Sequence, residues 1–167
     1  MTFNASGLFR QTLNDLFLNT ILSATFNLDS ETAWLNALYD NSITPSKDDT
    51  AQLCSYTGTS SIYTAAGGAT GGPQVFQAGQ WAVGGVTLTT TALTVVAGGI
   101  VQWTAANSAS GAACTMSNIY GSYIYNNALT PKYGLGFVAF TAAPPYSVTA
   151  GTLTIQWNAN GIFRWSL

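Results

Sequence analysis

The chain has 167 residues, enough for one domain that buries about 70% of its unfolded surface without a disulfide or a metal. Only 6% of residues are charged, against roughly 25% in ordinary soluble domains, while 47% are hydrophobic and 13% aromatic. The net charge is −2, and the basic residues Arg10, Lys47, Lys132 and Arg164 are scattered, so no phosphate-neutralising stripe forms and nucleic acid is excluded as a partner.

Residues 6–20 place Leu8, Phe9, Leu13, Leu16 and Phe17 at helical spacing, with Ser6 as a plausible N-cap. The spacing predicts a short amphipathic helix. It either covers one end of a sheet or serves as an arm that docks on a neighbouring subunit, and residues 1–27 are accordingly set apart from a β-domain over 28–167. The apolar stretch 8–28 is interrupted by Arg10, Asn14, Asp15 and Asn19 and has neither a basic leader nor a long apolar core. Neither a membrane span nor an export signal is expected, and synthesis in the cytosol is.

Residues 21–28 and 32–39 are apolar segments; Trp34 to Tyr39 reads as a buried strand, with a short helix capped by Ser30 the alternative. The turn-rich stretch 41–49 holds the last charges before a long neutral run, since no Lys, Arg, Asp or Glu lies between Asp49 and Lys132. Its Asp48-Asp49 pair lacks the spaced oxygen ligands of a calcium loop. Residues 55–72 are small and glycine-rich, as in an exposed loop or loose hairpin, and no Lys-Ser/Thr follows the glycines to make a phosphate loop.

From Val75 onward short strands follow one another: 75–76, 80–83, 86–90, 93–96, 100–105, 119–125 and 135–140, separated by Gly84-Gly85, Gly98-Gly99, Asn126-Asn127 and Pro144-Pro145. The clearest signal is at the end. Leu153, Ile155 and Trp157 alternate with polar residues, as do Phe163, Trp165 and Leu167 around Arg164 and Ser166. A three-residue turn, Ala159-Asn160-Gly161 with Gly161 left-handed, predicts a β-hairpin that pairs Trp157 with Phe163, Ile155 with Trp165 and Leu153 with Leu167. Eight or nine short strands and one helix indicate a mainly β chain, a single-domain β-sandwich or jelly-roll-like barrel.

Chemistry is sparse. Histidine is absent, and the carboxylates Asp15, Asp29, Glu31, Asp40, Asp48 and Asp49 all precede the neutral run. Ser and Cys nucleophiles would have only Lys47 or Lys132 as activating neighbours. No enzyme activity, metal or cofactor is expected, and Cys54 and Cys114 are read as separate buried thiols rather than a disulfide. Most tyrosines and tryptophans sit at alternating positions, as core residues do, with a sugar-stacking surface that includes Trp81 and Trp103 as the other reading.

Several stretches together carry a resemblance: Ala33-Trp34-Leu35-Asn36-Ala37-Leu38, Asn41-Ser42-Ile43-Thr44-Pro45, Ala78-Gly79-Gln80-Trp81, Gly84-Gly85-Val86-Thr87-Leu88, and the two runs 151–157 and 160–164. In their order and spacing, over 28–167, the chain resembles small structural proteins of tailed phages, especially phages of actinobacteria, encoded among virion morphogenesis genes. The resemblance implies a virion component, assembled in the host cytoplasm, with no catalytic residues. Its partners would be the major capsid protein or neck and tail proteins, together with further copies of itself, a homo-oligomer favoured by its few charges. Three expectations follow: a capsid decoration or minor capsid protein that reinforces the head; a neck, collar or tail ring; or a glycan- or receptor-binding module on the virion surface.

Overall fold

The computed structural model describes residues 3, 5–18, 27–29, 33–50, 54–56, 61–64, 73–141 and 144–166. In chain order the elements are β1 (Gly7–Leu8), α1 (Arg10–Phe17), β2 (Trp34–Tyr39), β3 (Gln74–Val75), β4 (Val86–Thr87), β5 (Ala92–Val96) and β6 (Ile100–Thr104). They continue with β7 (Ser108–Ala109), β8 (Cys114–Ile119), β9 (Gly121–Asn126), β10 (Gly134–Ala139), β11 (Tyr146–Gly151), β12 (Thr154–Ile155) and β13 (Phe163–Ser166). The fold is mainly β and sandwich-like, as the alternating sequence predicts.

A six-stranded antiparallel sheet runs β1-β10-β9-β2-β3, with β4 also paired to β2. Its centre is buried on both faces, which is why the sequences WLNALY of β2 and GSYIYN of β9 lack an outward polar row. Leu35 faces Tyr125 and Ala37 faces Tyr123, while Asn36 faces Ile124 and Leu38 faces Ser122. The period of two therefore assigns the tyrosines to one side of the sheet and Trp34, Leu38 and Ile124 to the other.

On the tyrosine side, Phe3, Phe9, Ile43, Cys54, Tyr56 and Tyr63 close over Ala37, Tyr39, Tyr123, Tyr125 and Phe137. On the opposite side two apolar clusters lie side by side. Trp34, Ile124 and Leu135 pack with Leu88 and Trp103, and Leu38 packs with Trp81, Cys114, Met116, Ile119 and Ile155. Three small sheets supply that cover: β11-β8, β12-β7 and the three-stranded β13-β6-β5. The three fully buried indoles find acceptors: Trp34 Nε1 donates to Asn27 O at 2.7 Å, Trp103 Nε1 to Leu28 O at 2.7 Å and Trp81 Nε1 to Asn36 O at 3.2 Å. Gly85, at φ +102°, lets the chain pass against the Asn36 backbone where any Cβ would collide.

The C-terminal run departs from the expected hairpin. β12 pairs with β7 through Thr154↔Ala109 and Ile155↔Ser108, whereas β13 pairs with β6 through Phe163↔Trp103 and Trp165↔Val101. The turn itself is as read: Gly161 is left-handed at φ +95° and its N–H reaches Asn158 O at 2.8 Å. The two runs then separate, because Ile162 N–H bonds Trp103 O at 2.8 Å and carries the second run to β6. Ile155 and Trp165 thus lie in different sheets, Trp157 follows the end of β12 and packs with Phe163 against the Trp34–Trp103 cluster without strand pairing, and the third proposed partner, Leu167, lies outside the described residues.

The helix is also shorter than predicted. Ser6 lies outside it, and its Oγ accepts the Ala139 N–H at 2.9 Å. Gly7 and Leu8 form an edge strand on β10, opposite Phe137 and Gly136. Residues 80–83 form no strand, since Gln80 and Trp81 close a tight turn back on Gln77, and β7 lies between the predicted strands 100–105 and 119–125. Most of the segments at 21–28 and 55–72 lie outside the described residues.

Candidate functional site

The residues nearest to a chemical constellation are four stacked tyrosines, Tyr39 set edge-on against two of them, and Cys54. Tyr56 stacks on Tyr125 with centroids 4.3 Å apart, and Tyr63 on Tyr123 at 4.4 Å. Each hydroxyl has a partner. Tyr39 donates to Tyr63 O at 2.6 Å, Tyr123 to Cys54 O at 2.6 Å, Tyr125 to Gly84 O at 2.8 Å and Tyr56 to Gln74 Oε1 at 3.2 Å. Tyr63 donates to Asp49 Oδ2 at 3.1 Å.

Burial is the first cause that raises the pKa of Tyr39, Tyr63, Tyr123 and Tyr125, and neighbouring phenols or Asp49 add to it. Burial likewise pushes the Cys54 thiol up to about 11, against the opposing hydrogen bond it shares with Thr12. These groups hold their protons at neutral pH, so the cluster has the chemistry of a satisfied core rather than of a nucleophile and base. Asp49 is raised by desolvation, which outweighs the hydrogen bond from Tyr63.

Cys54 and Cys114 are buried thiols that lie in separate clusters and form no disulfide with each other. Among the described residues no three His, Cys, Asp or Glu side chains gather where they could hold a metal ion, and no helix is long and apolar enough to cross a membrane. Two apolar grooves are present. One of about 470 Å³ lies among Ile119, Phe140, Tyr146, Leu153 and Ile155, and one of about 210 Å³ among Leu8, Ile124, Val138, Ile162 and Phe163.

The residues proposed for subunit docking do not form one exposed face. Phe9 is fully buried, with its ring 5.5 Å from Tyr63, 5.9 Å from Tyr123 and 5.3 Å from Phe137. Leu8 packs against the Trp34–Trp103 cluster and Leu13 is half-buried, while the side chains of Leu16 and Phe17 lie outside the described residues. The core role of the C-terminal residues fares better: Ile155 is buried, and Leu153, Trp157, Phe163 and Trp165 are partly buried with exposed Thr154, Gln156 and Arg164 between them. Trp81 and Trp103 are both fully buried, so neither offers a ring face to a sugar.

Two exposed apolar side chains that the sequence reading left aside are on β5. Val95 is 81% and Leu93 40% exposed. β5 is the end strand of β13-β6-β5. Its Leu93 N–H, directed away from β6, donates to Asp29 Oδ1 at 2.6 Å. By the two-residue repeat of an antiparallel ladder, the N–H and C=O of Val95 point the same way. The sequence signal was available: ALTVV is a strand with no charge and no proline, within the charge-free run.

No family model, no curated protein and no solved structure matches the chain.

Proposed function

We propose that the chain is a structural subunit of a tailed-phage virion, a head decoration or minor capsid protein that binds and reinforces the shell. The observation that carries the reading is the nature of its outer surface. The longest described stretch of the neutral run, 73–131, is covered by Ser, Thr, Asn and small residues and exposes Val83, Leu93 and Val95, with no charged side chain. Such a surface gives little repulsion between copies, and repeated weak contacts on a particle sum to firm attachment. The resemblance of the 33–38, 41–45, 78–81, 84–88, 151–157 and 160–164 stretches to phage structural proteins supports the same reading.

Copy number tests it. Quantitative mass spectrometry of purified particles is expected to find the chain in hundreds of copies per particle, as a shell-covering subunit requires. A count near a dozen would replace the decoration role with a neck, collar or tail ring, and absence from particles would remove the virion role altogether.

A further inference from the structure

We propose that the edge of β5 around Val95, unpaired among the described residues, is a self-association surface, on which a second copy of this chain pairs antiparallel across a two-fold axis through Val95.

The argument joins three observations on one residue. First, β5 ends the β13-β6-β5 sheet, and the backbone groups of Val95 point away from β6. Such an edge accepts another strand unless it is blunted by Lys, Pro, a bulge or an inward charge. β5 reads ALTVV and pairs with β6 in unbroken register from Ala92↔Thr104 to Val96↔Ile100.

Second, side chains on this sheet line up in rows that end at the same residue. Leu93, Trp103 and Phe163 form one row, whose Trp103 is anchored on Trp34 with centroids 5.4 Å apart. Val95, Val101 and Trp165 form the next row on the same face, farther along the sheet, and here Val95 is the most exposed large apolar side chain described. Residues directly opposite each other in an antiparallel pair point to the same face. Val95 set against its copy therefore runs the row on without a break, Trp165-Val101-Val95 meeting Val95-Val101-Trp165.

Third, the register is bounded. The Asp29 carboxylate occupies the Leu93 N–H, so a partner strand cannot slide toward the start of β5 without displacing a charged acceptor. Beyond Val96 the chain turns through Ala97, Gly98 and Gly99, the two glycines at φ +85° and +73°. Val95 is the position left between these limits at which two copies exchange N–H···O bonds reciprocally. Identical edges are self-complementary in the antiparallel sense, and the contact closes on itself as a dimer rather than growing into a fibre. That selects a second copy over an unrelated peptide as the occupant.

The inference stands apart from the virion role, since a chain that pairs in solution but never joins a particle keeps one and loses the other. The test is sedimentation equilibrium of the full chain. A small edge contact predicts a monomer–dimer equilibrium with a Kd between about 1 and 100 μM. Val95→Lys places a charge at the axis, and Val95→Pro removes only an N–H that points away from β6. Both variants are expected to sediment as monomers at concentrations where the parent doubles its mass, and to unfold at the parent's temperature. A parent that stays monomeric to about 100 μM, or a dimer that persists in either folded variant, overturns the proposal. If Val95→Pro loses the parent's unfolding temperature, Val95→Lys alone decides.

Discussion

Tyrosine hydroxyls in a core are costly unless bonded, and here each ring's tip reaches a specific acceptor: Tyr63 O, Cys54 O, Gly84 O, Gln74 Oε1 or Asp49 Oδ2. The consequence is a defined pH dependence. In the unfolded chain these phenols ionise near 10.0, whereas Tyr39, Tyr63, Tyr123 and Tyr125 keep their protons to higher pH when folded. The folded state then binds more protons than the unfolded state above pH 10, so their contribution is full below that pH and is lost progressively as pH rises beyond it through their raised folded pKa values. Tyrosinate absorbance of these residues is expected to appear together with loss of near-ultraviolet circular dichroism. Ionisation of all eight tyrosines near pH 10 with the fold intact would contradict this placement. The inward direction of Tyr123 and Tyr125 was legible from alternation. Their acceptors were not, because they come from residues 41 to 69 positions away along the chain.

Among elements, the N-terminal segment shows how periodicity can be right about burial and wrong about shape. Leu8 and Phe9 are apolar and turned inward, as helical spacing implied, yet Leu8 belongs to an edge strand and Phe9 precedes the helix. What decides this is tertiary: Phe9 N–H bonds Leu135 O at 3.0 Å and Arg10 N–H bonds Lys47 O at 2.9 Å. Arg10 also pairs with Asp48, a contact exposed on both sides and worth little. Phe9→Ala should therefore cost about 3–5 kcal/mol in denaturant unfolding, and removal of residues 1–20 should unfold the domain rather than free a folded body. A truncated chain with the parent's unfolding midpoint would restore the detachable arm. At the other end, the Asn160-Gly161 turn and the alternation around it were readable. The strand partners were not, since pairing Phe163 with Trp103 lets two rings meet at 4.9 Å and completes the Trp34 cluster. No local turn rule contains that gain.

For the whole molecule, class and architecture followed from counting short strands between turn residues, because alternation and Gly/Pro punctuation are local signals. The division into sheets was hidden, being set by contacts between distant strands such as β2 with β9 and β1 with β10. The low charge has a clearer meaning at this scale. The charge-free run supplies β3 through β9, and so both β9 at the middle of the main sheet and the exposed β5 edge. In the proposed virion role this neutral surface would stand among copies and neighbours. The most direct measurement is an add-back experiment, in which the purified chain is mixed with particles assembled without it and the particles are pelleted. Saturable co-sedimentation of the chain with the particles is the predicted result; a chain that stays wholly in the supernatant at every concentration would contradict the account.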